Sequence, residues 1–397
     1  MKAIVLPAAL AALVLLVRFL PGLPLLFRLG LALSPIFVQV RLDQPYALVA
    51  LFLLAAEAIQ VRERDRPRWR LAAWACLGLA AMADLPGAVI GGVLGLDRLA
   101  AALTERGRAG LRAELPGAVV GGLIAVLGVV ATLPQAAGSQ SVFITETGGG
   151  LPVLGELLAR IPAGGVSKAL PTWLGLLLFL LPVPALGRRE RLVLLLGVLA
   201  TAPAAIVGGA SQTRHALALF ILIAILLSRA GSQGRLAFAR TGNLRTTLAW
   251  GWLAILVLAG VGTLARTVAL PRSMANDAAD WLRPRITAET ALIVAPDFLS
   301  SAFVSLLERP AWTAECACET RSILWTAERN ARALDRAGMR AIAVAEAERR
   351  AAAGEDVVLV LPADATDGPV GWAVTRFTGG QLIDEDVAVW RSPARWR

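Results

Sequence analysis

Apolar residues in the first 266 positions fall in long runs, each closed by arginine, proline or a short polar turn. The runs are 3–19, 23–41, 44–61, 71–84, 86–103, 115–134, 172–187, 191–208, 214–229 and 246–266. They predict about ten membrane spans, because crossing the hydrocarbon layer takes roughly 20 residues and fewer where neighbouring helices shield the ends. Asp84-Leu85-Pro86 interrupts 71–103, which predicts a helical hairpin, with one long kinked helix as the alternative. Between the sixth and seventh runs, Leu151 to Ile161 is amphipathic around Glu156 and Arg160 and predicts a short helix lying in the membrane interface.

The pattern changes at Pro271. From there the chain predicts a helix over 276–282, a buried strand over 291–295 and a helix capped by Asp297 running to Leu307. Further expectations are a helix over 326–337, a strand over 341–344, a helix over 346–353, a strongly apolar strand over 356–361 and a hairpin of 372–377 with 387–390. Alternating strands and helices imply a small α/β domain. The expected fold class is therefore an α-helical polytopic membrane protein of about ten spans with a small C-terminal periplasmic α/β domain. The expected division is 1–266 for the spans and 267–397 for the exported domain.

Composition supports the membrane reading. The chain is 57% apolar, with a mean hydropathy of +0.66, outside the range of a soluble domain of this length. A net charge of +10 points at first to nucleic acid. Residues 267–397, however, carry 15 Arg against 18 Asp or Glu, a net of −3, so the whole basic excess lies in the apolar part. No nucleic-acid partner is expected.

That excess is bunched. Arginines cluster at 62–70, 98–112, 188–191 and 229–245, and each successive pair of clusters encloses apolar sequence for two crossings. Cationic loops beside spans stay cytoplasmic. The tail beyond about residue 267 then falls on the outer, periplasmic side of the cell inner membrane, and counting back places the N-terminus outside as well.

Ionisable residues at membrane depth each need a reason. Glu57 lies within reach of cytoplasmic arginines and is expected to pair with one. Asp84 is expected to cap the helix after it, with a share in an outward-facing site as the alternative. Arg41 and Asp43 flank another outward turn, followed by Tyr46, the single tyrosine. Arg214 and His215, the sole histidine, open a span at its outward end. An arginine there either snorkels to headgroups or supplies paired donors to a phosphate. Cys316-x-Cys318, with no histidine or second cysteine pair beside it, suits a local redox pair or two plain thiols better than a metal site. The triple glycine 148–150 lacks the strand before it and the Lys-Ser/Thr after it that a phosphate loop needs, and reads as a hinge.

The order of these motifs resembles the C-type membrane glycosyltransferases. Within them it is most similar to the bacterial branch related to protein O-mannosyltransferases and the lipid A aminoarabinose transferase. The residues that carry the likeness are Leu33-Ser34-Pro35, then Asp43-Gln44-Pro45-Tyr46-Ala47-Leu48, Trp69 in an arginine-rich loop, and the turn Ala83-Asp84-Leu85. Arg214-His215-Ala216-Leu217 and Asp280-Trp281 followed by Ala291 to Pro296 complete it.

The resemblance implies sugar transfer from a polyprenyl-phosphate donor to an envelope glycan, lipid or protein. Arg214 and His215 would then serve the phosphate, and Asp43, Tyr46 and Asp84 the acceptor side. Partners would be the lipid-linked donor, membrane lipids and the envelope acceptor. No cofactor is certain, and a divalent metal ion is left open. Two features depart from the family: Gln44 stands where it has arginine, and its first span and first outer loop, which carry the catalytic acid, have no counterpart. Residues 3–17 line up with its second span, so the catalytic base stays unassigned. The expected alternative function is a non-catalytic membrane partner that presents the tail domain. A transporter would need repeats or interrupted helices in corresponding halves, and the chain has neither.

Overall fold

The computed structural model describes residues 2–20, 22–39, 46–62, 66–147, 151–163, 171–208, 213–236, 243–269, 273–321, 336–380 and 386–393. The chain divides into two compact units, one of residues 1–134 and 147–264, the other of 135–146 and 265–397.

The first unit is helical. Its helices are α1 (Lys2–Arg18), α2 (Leu25–Ala32), α3 (Pro35–Gln39), α4 (Tyr46–Arg62), α5 (Pro67–Ala83), α6 (Leu85–Thr147), α7 (Leu151–Ala163), α8 (Thr172–Leu180), α9 (Arg188–Gly208), α10 (Thr213–Ser232) and α11 (Leu244–Ala269). At its centre is α10, whose residues Ala216 to Leu227 are all buried. A helix apolar on every side has no face to offer water and belongs in the middle of a bundle. Packed around it are α3, α4, α7 and α9.

The helices at the periphery turn large apolar side chains outward. Leu6, Leu10 and Val14 recur every fourth residue on α1, and Leu115, Val119, Leu123 and Leu127 do so on α6. Leu192, Leu195 and Leu199 on α9 and Leu258, Val261 and Leu264 on α11 are exposed as well. By length and composition, two stretches among the described residues qualify to cross a bilayer, Leu85–Gly128 and Leu244–Ala265. The apolar helices Leu6–Arg18, Trp173–Ala185 and Ala216–Ser232 are shorter.

Several expected spans take another form. Over its described part, to 39, the run 23–41 is two short helices: α2 ends at its C-cap Leu33, and Pro35, which has no N–H to give, starts α3. The run 172–187 is a nine-residue helix followed by a 3-10 turn at 183–185, since Pro182 and Pro184 stop the α-helix. Nor does α7 lie on a surface: Leu157, Leu158 and Ile161 join the helical core, packed on α8, α9 and α10.

At Asp84 the chain forms the hairpin. Glycines at 87, 91 and 95, one per helical turn, let α6 lie against α5 at Ala80, Leu77 and Trp74 respectively. A Cβ on Gly87 would collide with the Ala80 carbonyl oxygen, so the close approach depends on the missing side chain. The path of α6 then breaks at Gly107, whose φ of 60° is outside the helical region. Beyond the break, Gly117, Gly121 and Gly128 return along the other side of α5, against Trp74 and Met82.

The second unit contains α12 (Ala275–Leu282), α13 (Asp297–Leu307), α14 (Arg336–Ala352) and strands β1 (Ala291–Val294), β2 (Ala311–Thr313), β3 (Cys318–Thr320), β4 (Val357–Pro362), β5 (Ala373–Phe377) and β6 (Val387–Arg391). The strand order is β3-β2-β1-β4-β6-β5, with β2, β1 and β4 parallel and the outer strands antiparallel. Both faces of the central strands are buried. Leu292, Val294, Val358 and Val360 meet α12 and α13, while Ile293, Val357 and Leu359 share a core with Met339, Ala343 and Ala347 of α14. Two-sided burial explains why β4 reads as an unbroken apolar run.

The expected strand 341–344 is part of α14. Its apolar residues Met339, Ala343 and Ala347 recur every fourth position and bury one helix face, a period too long for a strand. The N-cap of α13 is Pro296, and Asp297 is its first residue. Strands β2 and β3 were absent from the sequence expectation, being three residues each. The expected helix over 326–337 lies, up to 335, outside the described residues.

Candidate functional site

Polar chemistry in the helical unit concentrates at two ends of the bundle. At one end, the Arg229 guanidinium from α10 donates to both oxygens of Glu57 on α4, at 2.8 and 2.6 Å. It also donates to Asp97 Oδ2 on α6, at 2.7 Å. Asp97 Oδ1 accepts from Arg189 Nε of α9 at 2.8 Å. Beside this network, Glu114 accepts from Trp74 Nε1 at 2.9 Å and Arg98 Nε at 2.7 Å, and Glu190 pairs with Arg235 at 2.7 Å. Glu57, Asp97, Glu114 and Glu190 are all buried. Buried charges persist only when paired and hydrogen-bonded. Glu57 therefore has the arginine partner expected, though from α10, far along the chain from the 62–70 cluster. Asp97 went unnoticed in the sequence, where the signal was an acid inside the apolar run 86–103.

The positions of Tyr46, Asp84 and Arg214 belong to the other end. Helices α4, α6 and α10 all run toward the ion network from their N-termini. Tyr46 is eleven residues before Glu57, Asp84 thirteen before Asp97, and Arg214 fifteen before Arg229. At about 1.5 Å per residue, all three positions are roughly 16 to 22 Å from the network, at the same end of the bundle. The contact of Phe37 with Phe220 (ring centroids 5.8 Å apart) agrees, joining α3 to the first half of α10.

Tyr46 opens α4 half-buried, packed on the helical core. Asp84 closes α5 and caps α6, its Oδ1 accepting from the Leu85 N–H at 2.8 Å. Arg214 and His215 occupy the first turn of α10. Asp43 lies outside the described residues. Among the described residues, no three His, Cys, Asp or Glu side chains are grouped to hold a metal ion.

In the second unit, a cleft of about 530 Å³ opens at the N-terminal edge of β1. It is lined by Arg283, Arg309 and Arg350 and by Glu289, Glu319 and Glu355, in balance. Arg350 pairs with Glu319 and Glu355, and Arg309 donates to the carbonyls of Thr287, Ala288 and Thr290. Burial pushes the Arg309 pKa down against the pull of Glu319 and Asp356. On the neighbouring hairpin, Cys316 and Cys318 are joined in a disulfide, which settles the choice between a redox pair and two plain thiols in favour of a bonded pair.

Two solved structures similar to this chain are of ArnT from Cupriavidus metallidurans. Against the apo form the TM-score is 0.52 at 14% identity, covering 99% of this chain and 83% of that one. Against the form bound to undecaprenyl phosphate it is 0.49 at 14% identity, covering 99% and 84%. The likeness is one of fold. No protein-family model matches the chain, and no curated protein matches it by sequence.

Proposed function

We propose that this chain is an integral membrane glycosyltransferase that moves a sugar from a polyprenyl-phosphate donor to an envelope glycan, lipid or protein. The observation that carries the reading is the ArnT-like fold over 99% of the chain. Exposed leucine and valine stripes on α1, α6, α9 and α11 support immersion in lipid, since a soluble surface rarely shows such contiguous apolar area. The arginine clusters support a cytoplasmic location for the ion-network end. Tyr46, Asp84 and Arg214 then face the outside of the inner membrane, and the α/β unit is periplasmic.

In such a transfer the bond from the sugar's anomeric carbon to the phosphate oxygen breaks. The acceptor hydroxyl oxygen bonds to that carbon, its proton passes to a base, and negative charge builds on the leaving phosphate. Arg214, with His215 beside it, is suited to that charge, because a guanidinium gives a phosphate two parallel donors. Asp84, Asp43 and Tyr46 are assigned to the acceptor side.

A transfer assay with radiolabelled polyprenyl-phosphate sugar in proteoliposomes tests this. Wild-type protein should label an envelope acceptor, and Arg214→Ala should lose most of that activity while remaining folded. Wild-type protein without transfer, together with unchanged envelope labelling after deletion of the gene, favours a non-catalytic partner that presents the α/β unit.

A further inference from the structure

The geometry points to Cys316–Cys318 as a reversible thiol–disulfide exchange site that takes a dithiol as its substrate. The bond closes a ring with a single residue, Ala317, between the two cysteines. Stabilisation by a cross-link grows with the logarithm of the loop it closes, so this one does little for folding. The hairpin it sits on is already held by backbone pairing of Ala311 with Thr320 through Thr313 with Cys318.

Two further features make the bond easy to open. Ala317, inside the ring, has φ of 52°, in the left-handed region that disfavours a residue with a Cβ. Both cysteines are partly exposed, Cys316 in the turn and Cys318 at the start of the edge strand β3, while Thr313, Ala314 and Glu315 before them are buried. Exposed, constrained disulfides are the labile and reactive ones.

The environment also distinguishes the two sulfurs. Thr313 Oγ is 3.2 Å from Cys316 Sγ, placed to donate to a thiolate there. An incoming thiolate therefore attacks Cys318 Sγ. The Cys316–Cys318 bond breaks, a mixed disulfide forms at Cys318, and Cys316 leaves as a thiolate steadied by the Thr313 hydroxyl. The second thiol of the dithiol, as its thiolate, attacks its own sulfur in the mixed disulfide and releases Cys318. The dithiol is oxidised to a disulfide, and this chain accepts two electrons and two protons. Thr313 is a positioning residue in this step.

The test uses the full-length protein in detergent. It is equilibrated with mixtures of reduced and oxidised glutathione, or reacted with dithiothreitol, then acid-quenched, alkylated and weighed intact. Cys76, the free cysteine, serves as internal reference. The expected result is that both cysteines convert together, without denaturant, and circular dichroism stays unchanged. Thr313→Val should slow dithiothreitol reduction about five-fold, the worth of one hydrogen bond, and Thr313→Ser should restore it. A pair that stays oxidised until denaturant is added overturns the proposal and marks a purely structural bond. An unchanged rate in Thr313→Val overturns the assignment of Cys316 as the leaving sulfur.

Discussion

Replacing Arg229 by methionine tests whether the ion network holds the bundle together. The substitution keeps length and apolar volume but removes three of the hydrogen bonds that satisfy Glu57 and Asp97. Asp97 keeps Arg189, at 2.7 Å, whereas Glu57, only 5% exposed, loses the guanidinium from which both its oxygens accept. Breaking a buried pair from one side costs about 3–5 kcal/mol, because an uncompensated charge stays behind. Glu57→Gln is milder, at about 1–2 kcal/mol, since Arg229 retains Asp97 and the amide still accepts one bond. The double variant Arg229→Met/Glu57→Gln should be more stable than Arg229→Met alone, with a coupling of about 1–3 kcal/mol. Thermal unfolding of the four proteins in one detergent, followed by tryptophan fluorescence, gives the cycle. Additive effects, or an Arg229→Met protein as stable as wild type, would refute the claim that Glu57 depends on α10 for its counter-charge.

Other expectations follow from local geometry. A Cβ on Gly121 would sit 2.5 Å from the Trp74 carbonyl oxygen, so Gly121→Leu should force α5 from the returning half of α6 and destabilise by about 1–3 kcal/mol, measurable by the same unfolding assay. Trp74→Phe keeps an aromatic side chain but removes the donor to Glu114 and part of the buried ring, and should cost at least about 1 kcal/mol. In the α/β unit, hydrogen bonds from Arg349 and then Arg350 hold Glu346 at about 2, below its ordinary 4.5. Its folded pKa is depressed, so its contribution is present above about pH 4.5 and fades as pH falls toward 2. Glu346→Gln should therefore lower the melting temperature at pH 6 but leave it close to wild type near pH 2. A mutant deficit that is constant across that range would remove the linkage.

Much of this molecule was legible before its structure. Apolar runs located the bundle's helices, because each must bury or immerse one face of an element of known period. The apolar strands expected over 291–295 and 356–361 and the hairpin of 372–377 with 387–390 came from the same logic, since a strand buried on both faces has few polar residues to obscure it. The glycines at 87, 91 and 95 were visible as a four-residue repeat, yet their role against α5 needed the hairpin to exist first.

Spacing cannot reveal partners brought from afar. Arg229 meets Glu57 across 172 positions, and Arg189 meets Asp97 across 92. Only packing determines which of many arginines reaches which buried acid. Local ambiguity accounts for the segment 341–344: Ala-Ile-Ala-Val satisfies a strand or a helix equally until the sheet offers a face, and α14 filled it with one residue in four. The amphipathic stretch 151–161 suited a membrane interface or a protein interior alike, and contact with α8, α9 and α10 decided for the interior. Sequence by itself thus determined which residues must avoid water. Tertiary structure alone decided what they avoid it against, because burial of charge and fit of surfaces are properties of pairs that the chain's order does not contain.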